Sequence, residues 1–405
     1  MLPVAEARAQ ILDAFAPLPG ELVSLTEGLG RVLAEDLSAR VTQPPRDVSA
    51  MDGYAVRADD VAKVPATLTV VGDIPAGGDY SGTLNPGEAV RIYTGAPVPA
   101  GADAIVIQED TSRDGDRVTV NESAARGRYL RPAGLDFTAG TVGLKAGRLL
   151  TSRDIGLAAA MNHPWLKVRR RPRVAVLATG DEVVLPGEAL GASQIVSSNG
   201  FALAAFVTAC GGEAVNLGIA PDDEAALSRD IDAARGCDLL LTSGGASVGA
   251  HDLVQDVLKA KGAELGFWKI AMRPGKPLMF GRLDGVPVLG LPGNPVSGLV
   301  CATVFLRPAL DRLLGLGGHG EEVAETAILG RDLPENDRRQ EYLRARLETD
   351  RDGRRRATPF DKQDSAMLSA LAAATCLVVR PPHAPAAKVG ESVEIIPLNG
   401  GCLGI

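Results

Sequence analysis

A multidomain protein that joins one α/β layer to β-rich segments is predicted by three features of the 405-residue sequence. First, short runs of alternating apolar and polar residues dominate residues 66–120, as in half-buried strands. Second, residues 173–316 repeat an apolar run, a glycine-rich loop and a helical pattern, which is typical of a parallel sheet. Third, alternating runs return after residue 320. At roughly 150 residues per domain, this length predicts two to four domains.

The charge and the composition exclude several classes of protein. Lys and Arg total 42 and Asp and Glu total 50, a formal charge of −8, whereas a duplex-binding protein needs a strongly basic face. No run approaches the roughly 18 apolar residues of a membrane span, and the N-terminus lacks the basic stretch of a secretory signal. We therefore expect a cytoplasmic protein that binds neither nucleic acid nor membrane. Its scattered cysteines are expected to be free thiols: Cys210, Cys237, Cys301, Cys376 and Cys402.

The N-terminal part is predicted to be helical and then β-rich. Val4, Ile11, Leu12 and Phe15 share one helical stripe, and a second helix is predicted near residues 30–36. A Gln-Pro-Pro break at 43–45 precedes strands predicted at 67–71, 90–94 and 104–107, and a hairpin turn at Asp114-Gly115.

The central part carries the parallel α/β signal. Three continuous apolar runs predict strands buried on both faces, at 174–178, 238–242 and 286–290. Helical patterns follow at 200–209, 252–261 and 296–314. An arginine-rich run at 169–173 precedes them and is interpreted as a solvated linker.

The C-terminal part is predicted to be a compact β domain. Alternating strands at 342–347 and 354–358 flank an Asp-Gly turn, and a short helix at 366–374 precedes strands at 376–380 and 392–397.

Glycine-rich loops follow all three predicted parallel strands, where ligands of such sheets bind. They are Thr179-Gly180-Asp181-Glu182, Ser243 to Gly249, and Leu291-Pro292-Gly293-Asn294-Pro295. Glycine lets backbone N–H groups approach a phosphate, and Arg273-Pro274-Gly275-Lys276 adds cations nearby. Tight βα turns also require glycine, so one such loop would be uninformative. Three of them beside lysine and acidic residues favour an anion-binding surface, although there is no Walker A sequence.

Two shorter patterns are weak. Residues 315–320 match the dinucleotide fingerprint, but they follow a helix rather than a strand, so we interpret them as an interdomain joint. Gly245-Ala246-Ser247-Val248-Gly249 matches the hydrolase nucleophile motif, with Ser247 as the nucleophile, but a suitably placed downstream histidine is missing.

Acidic residues recur at predicted loop positions, and carboxylates beside phosphates are the usual environment of Mg²⁺. They are Asp52, Asp136, Asp181, Glu182 and Asp252. Each of them also fits a helix cap or a turn, with no ligand involved.

Six ordered segments together resemble the molybdopterin molybdenumtransferase family, of the MoeA and gephyrin E-domain type. They are Ser49 to Ala55, Arg91 to Asp103, Thr179 to Glu182, Ser243 to Gly249 with Asp252, Pro274 to Pro277, and Leu291 to Pro295. In the family's order, the resemblance extends from about residue 1 to residue 405.

The resemblance implies a fold and a reaction. The fold is a three-layer α/β/α molybdopterin-binding domain at 171–318 and a β-rich inserted module at 49–140. An N-terminal helical linker domain at 1–48 plus 141–170 and a C-terminal β-barrel-like domain at 319–405 complete it. The reaction inserts molybdate into adenylylated molybdopterin with release of AMP and uses Mg²⁺. The implied assembly is a homodimer, with the molybdopterin adenylyltransferase and molybdoenzyme maturation proteins as partners. A non-catalytic molybdopterin-binding scaffold or paralogue of the same fold is the alternative.

The resemblance also implies roles for individual residues. The implied catalytic residues are Asp52, Thr94, Asp136, Glu182, Asp252 and Ser365, and Asp52, Glu182 and Asp252 are the implied metal ligands. The implied molybdopterin-binding residues are Thr179, Gly180, Asp181, Ser243, Gly244, Gly245, Ser247, Gly249, Lys269, Arg273, Lys276, Pro292, Gly293, Asn294, Pro295 and Arg344, and Asp222 also matches. The sequence departs from the commonest family pattern at Leu135, Ala250 and Arg273.

Overall fold

The computed structural model describes residues 1–244, 253–316 and 325–398, with the backbone alone at 267–268. The elements before residue 170 are, in chain order, α1 (Val4–Asp13), β1 (Gly20–Ser24), β2 (Leu37–Ser38), β3 (Val48–Ser49), β4 (Gly53–Val56), β5 (Ala66–Ile74), β6 (Glu88–Ile92), β7 (Ala104–Ile107), β8 (Thr111–Asp114), β9 (Arg117–Val120), β10 (Leu130–Arg131), β11 (Val142–Leu144), α2 (Ser152–Ala160) and β12 (Trp165–Arg169).

Three short antiparallel ladders join the chain before the β-rich module to the chain after it. β1 pairs with β12, β2 with β11, and β3 with β10. Leu33, Leu150 and Leu166 pack together in their shared core. This pairing is what an inserted module requires, because the chain leaves the ladders at β3 and returns at β10.

The second N-terminal helix predicted near residues 30–36 is wrong. Val32 forms a bridge with Leu149, and Leu33 forms a bridge with Val168, so the segment is extended. The N–H groups of Leu33 and Ala34 donate to the carbonyl oxygens of Arg148 and Lys167, far along the chain, rather than to the preceding turn. Helix α1 agrees with the prediction. Its Val4 and Ile11 pack in the same core as Val174 and Leu310 of the α/β part.

The β-rich module is one six-stranded sheet in the order β7-β4-β6-β5-β9-β8, in which only β5 and β6 run parallel. Apolar clusters cover both faces of β4: Tyr54 and Val56 belong to one, and Ala55 belongs to the other. The loops at the ends of this sheet therefore rest on a rigid support.

The α/β part contains, in chain order, β13 (Arg173–Thr179), β14 (Val183–Val184), β15 (Ile195–Val196), α3 (Asn199–Ala209), β16 (Glu213–Ala220), α4 (Glu224–Asp232), β17 (Leu239–Ser243), α5 (Leu253–Ala260), β18 (Glu264–Lys269), β19 (Met272–Arg273), β20 (Pro277–Leu283), β21 (Val286–Leu291), α6 (Pro295–Cys301) and α7 (Arg307–Leu314). A π-helical turn at Ala302–Leu306 joins α6 to α7, within the helical pattern predicted at 296–314.

The central sheet has the order β16-β13-β17-β21-β20-β18. The first four strands are parallel, and β20 and β18 are antiparallel to their neighbours. Val174 and Val176 face the core that holds α1, α3, α6 and α7, whereas Ala175 and Leu177 face the core beneath α4 and α5. Because alternate residues of one strand enter separate helical layers, the predicted three-layer α/β/α arrangement is confirmed.

The C-terminal part contains β22 (Glu325–Leu329), β23 (Gln340–Thr349), β24 (Arg355–Pro359), α8 (Leu368–Ala372), β25 (Cys376–Arg380) and β26 (Ser392–Pro397). The order β23-β24-β22-β26-β25 closes by pairing β25 with β23, so the predicted barrel is confirmed. β19 adds to β23 in parallel and links the barrel to the α/β part. No helix in the three described ranges is long and apolar enough to cross a membrane.

Gly53 is predicted to be essential for the sheet of the β-rich module. A Cβ atom there would overlap the carbonyl oxygen of Val106 and lie 2.9 Å from the Cα of Ile107. We expect Gly53→Ala to lower the free energy of unfolding by about 1–3 kcal/mol, because backbone atoms cannot yield as a side chain can. Calorimetric melting checks this. In the control, Gly156→Ala in α2, an added Cβ meets no atom within 4 Å, and we expect no loss of stability. Equal melting temperatures for wild type and Gly53→Ala would contradict the prediction.

Candidate functional site

Three parallel strands end side by side and bring the predicted glycine-rich loops together. Ala178 is in register with Ser243, and Ser243 is in register with Leu291, so β13, β17 and β21 end at one edge of the sheet. A Cβ on Gly244 would lie 2.6 Å from the carbonyl oxygen of Thr179, and one on Gly293 would lie 3.5 Å from the Cα of Gly244. The backbones of the three loops are therefore in contact.

Two of the loop glycines have a backbone conformation that other residues rarely adopt. Gly180 has φ +131° and Gly244 has φ +97°. The Glu182 carboxylate folds back over Gly180, since a Cβ there would lie 2.5 Å from Oε2 of Glu182. Larger residues would strain the backbone and displace this carboxylate.

Asn199 is part of this site, and the sequence analysis missed it. Its Nδ2 donates to Oγ of Ser243 at 2.9 Å and to the carbonyl oxygen of Gly293 at 2.7 Å. Asn199 is the first residue of α3 and follows two serines. This run of polar residues at the start of a helix is the signal in the sequence that could have identified the position.

Asp181 and Asp222 form a reciprocal pair at the rim of the three loops. The N–H of Asp222 donates to Oδ1 of Asp181 at 2.9 Å, and the N–H of Asp181 donates to Oδ2 of Asp222 at 3.4 Å. Each carboxylate thus accepts a hydrogen bond from the backbone of the other residue. The pair thereby links the loop that follows β13 to the loop that follows β16.

Asp52 and Thr94 form a second cluster, on the β-rich module. Oδ1 of Asp52 accepts from the N–H of Thr94 at 2.7 Å and from its hydroxyl at 2.8 Å. The bond from the Thr94 backbone, then that from its hydroxyl, lowers the pKa of Asp52, and the nearby Arg91 guanidinium adds to this. Arg91 itself lies over the rings of Tyr54 and Tyr93, at 5.1 and 4.9 Å. Asp52 is therefore an exposed, ionised carboxylate whose Oδ2 has no partner among the described residues.

The other predicted residues of this module and of the basic segment lie at the surface. Asp136 is exposed, and its N–H donates to the carbonyl oxygen of Gln43. Lys269 and Lys276 are exposed, whereas Arg273 pairs with Glu341 at 2.5 Å and with Asp337 at 3.6 Å. The positive charge of Arg273 is thus already paired with the barrel.

Arg344 lies buried against a cavity of about 250 Å³, which Arg273, Pro274 and Gln363 also line. Its Nη2 donates to the carbonyl oxygen of Asp364 at 3.1 Å, but Nε and Nη1 have no partner within the described chain. Burial lowers the pKa of this guanidinium, and the charge of Asp364 opposes the shift. A buried guanidinium with two nitrogens left without partners, beside a cavity, is a candidate site for an oxyanion.

Ser365 connects the cavity region to the glycine-rich loops. Its carbonyl oxygen accepts from the N–H of Val296 at 3.2 Å, in the first turn of α6. Pro292, Gly293, Asn294 and Pro295 directly precede that N–H, and Asn294 is the residue before α6. The barrel and the central sheet therefore meet at this loop.

Several predicted residues lie outside the described residues: Gly245, Ser247, Gly249, Ala250 and Asp252. The molybdopterin-binding role of Ser247 and the metal-ligand role of Asp252, both implied by the resemblance, accordingly stay predictions, and the weak hydrolase motif around Ser247 lies in the same undescribed segment. Within the described ranges, no three His, Cys, Asp or Glu side chains are grouped closely enough to hold a metal ion.

Comparison with known proteins identifies related regions along most of the chain. Residues 2–162 match the MoeA N-terminal region (domain I and II), residues 175–312 match a probable molybdopterin binding domain, and residues 326–398 match the MoeA C-terminal region (domain IV). The molybdopterin molybdenumtransferase of Haemophilus influenzae is 35% identical over 402 residues, which is 98% of this chain and 99% of that protein. That of Nostoc sp. is 40% identical over 331 residues, 80% of this chain and 76% of its own length.

Solved structures agree with these matches. Two structures of the molybdopterin biosynthesis MoeA protein from Pyrococcus horikoshii have TM-scores of 0.86 and 0.83, at 33% and 30% identity. They cover 99% and 98% of this chain, and 100% and 99% of their own chains.

The hydroxyl of Thr94 is predicted to hold the pKa of Asp52 down. Thr94→Val removes this donor and keeps the backbone donor, so we expect the pKa to rise while staying below its ordinary value. Thr94→Ser, which keeps the hydroxyl, is the matched control. Because the folded-state pKa is lowered, the interaction stabilises the protein at neutral pH, and that stabilisation is lost as the pH falls through the lowered pKa. A carboxyl NMR titration measures the shift, and identical curves for wild type and Thr94→Val would refute it.

Proposed function

The chain belongs to the molybdopterin molybdenumtransferase family, and from that membership we propose that it inserts molybdate into adenylylated molybdopterin and releases AMP. The observation that carries the proposal is the convergence of Thr179, Gly244 and Gly293 at one edge of the sheet. The same proposal includes a division into four domains. The first combines residues 1–48 and 141–170, and the others are 49–140, 171–318 and 319–405.

The phosphate groups of adenylylated molybdopterin bind at the three glycine-rich loops. Gly180, Gly244 and Gly293 let a phosphate approach the backbone closely, and α6 begins immediately beyond Asn294. Lys269 and Lys276, which form no ion pair within the described part of the chain, supply positive charge.

Molybdate binds in the cavity beside Arg344. A planar guanidinium donates well to a tetrahedral oxyanion, and two nitrogens of Arg344, Nε and Nη1, have no partner within the described chain. The Ser365 contact with the first turn of α6 joins this cavity to the loop at Pro292–Pro295.

Mg²⁺ fits the chemistry of Asp52. The ion is held in many proteins by one or two carboxylates plus substrate phosphate oxygens, and Asp52 offers an ionised carboxylate with Oδ2 available. Glu182 and Asp252 are the further proposed ligands. When bound, the metal ion would neutralise phosphate charge, while Thr94 keeps Asp52 oriented.

The proposed assembly is a homodimer in which the β-rich module of each subunit covers the partner's α/β part. Two exposed apolar side chains on one side of the β1–β12 ladder, Leu22 and Trp165, support a further contact between subunits at the linker domain; they are 71% and 57% exposed. Exposed apolar patches of this kind mark interaction surfaces. The molybdopterin adenylyltransferase and molybdoenzyme maturation proteins are the proposed partners in substrate delivery and product transfer.

A cytoplasmic location is part of the proposal. Cys210, Cys237, Cys301 and Cys376 are free thiols, and burial raises the pKa of each of them. Unpaired thiols persist in a reducing compartment.

Asp52→Asn distinguishes an enzyme from a molybdopterin-binding scaffold. Asn keeps the acceptor for Thr94, so we expect an intact fold and binding of adenylylated molybdopterin within about tenfold of wild type. Loss of the negative charge should lower AMP release by at least about 10²-fold. Asp79→Asn, an exposed acid of the same module that pairs with Arg46, is the control and should release AMP normally. Wild-type turnover in Asp52→Asn would rule out the catalytic role, and no AMP release by the wild type would favour the scaffold.

Arg344→Met tests the molybdate site. Met has a similar length without the charge, so calorimetry with molybdate should show binding weakened by at least about tenfold. The melting temperature should change little, because the loss of one hydrogen bond, that to Asp364, is offset by removal of a buried charge. Arg346→Met, two residues along the same strand and exposed, is the control. Unchanged molybdate affinity in Arg344→Met would contradict the assignment.

The dimer is tested by light scattering coupled to size exclusion. At micromolar concentration we expect twice the chain mass of 42.0 kDa. A mass of 42.0 kDa under those conditions would count against a site shared between subunits.

A further inference from the structure

Asn199 links three separate elements of the proposed phosphate site. It is the first residue of α3, and its side chain reaches the last residue of β17 and the loop after β21. Both hydrogens of its Nδ2 are used, one for the Ser243 hydroxyl and one for the Gly293 carbonyl.

The chemistry of the two partners determines how the amide is oriented. A carbonyl oxygen can only accept, so the amide nitrogen rather than the amide oxygen must face Gly293. The same nitrogen then donates to Oγ of Ser243. Ser243 therefore receives a hydrogen bond, and its own hydroxyl hydrogen must point elsewhere.

That hydrogen has no acceptor among the described residues, although Ser243 is only 3% exposed. The hydroxyl of Thr179 is buried as well, and it has no partner at all in the described chain. A Cβ on Gly244 would lie 2.8 Å from this hydroxyl, so the Thr179 side chain packs directly against Gly244. Buried hydroxyls without partners are rare, and a ligand oxygen would satisfy both.

We propose that Asn199 is a positioning residue that orients the hydroxyl of Ser243 as a hydrogen-bond donor to a phosphate group bound at the three loops. The inference rests on the proposed function, in which the substrate's phosphates bind there. The bond to the Gly293 carbonyl oxygen fixes the amide in the orientation in which Nδ2 donates to Ser243.

Asn199→Asp reverses the donor arrangement with little change in shape. The introduced carboxylate cannot donate, so it accepts the Ser243 hydrogen and repels the Gly293 carbonyl. We expect the Kd for AMP, used as the probe, and the KM for adenylylated molybdopterin to rise at least about tenfold. Asn216→Asp on β16 is the control for added charge, because the Asn216 side chain accepts from the N–H of Gly218 and a carboxylate preserves that bond. We expect AMP affinity near that of the wild type in the control.

A double-mutant cycle separates positioning from simple packing. If Asn199 acts through Ser243, then Asn199→Ala combined with Ser243→Ala should weaken AMP binding no more than Ser243→Ala alone. Additive losses would overturn the inference, as would unchanged AMP affinity in Asn199→Asp. Melting temperatures accompany each measurement, and loss of the fold in both Asn199 variants would assign the residue a structural role instead. Failure of the wild type to release AMP would instead refute the proposed function.

Discussion

Parallel pairing of β13, β17 and β21 is the constraint on which the site depends. Their register places Ala178, Ser243 and Leu291 side by side, so the three following loops leave the sheet together. Both faces of these strands are buried under helices, and a shift of one residue would exchange the two faces. Such a shift would cost free energy, so the register is fixed. The strand ends therefore stay side by side, and Thr179, Gly244 and Gly293 stay together with them.

The barrel is attached to this sheet at two points, the first of which lines the Arg344 cavity. At the first, β19 pairs with β23 and Arg273 bonds to Glu341, so the segment that carries the predicted cations is part of the barrel edge. At the second, Ser365 meets the first turn of α6. Arg273 therefore has a different environment from Lys276: one is paired with the barrel, and the other is exposed.

The Arg344 cavity and the Asp52 carboxylate differ in their electrostatics. Arg344 is buried in a low-dielectric environment, and two of its nitrogens have no hydrogen-bond partner within the described chain. Binding of an oxyanion beside it is therefore favourable. Asp52, in contrast, lies in the β-rich module, away from the sheet that carries Arg344. It is exposed, and its hydrogen bonds from Thr94 keep it ionised. A substrate that carries phosphates and meets a divalent cation suits this separation, and the proposed dimer would bring the sheets together.

The sequence by itself determined the elements whose signal is local. Continuous apolar runs predicted β13, β17 and β21, and the glycine motifs predicted their loops, because side-chain periodicity and positive φ values are properties of short segments. Tertiary structure decided the rest. The half-exposed strand β16 lacks a clear run, and the segment at residues 30–36 is extended because distant strands supply its partners. Asp52 meets Thr94 across 42 residues and Asn199 meets Ser243 across 44, while Arg344 loses its solvent only when the barrel closes. Such hydrogen bonds and burial arise between residues far apart in the chain, so no local pattern encodes them.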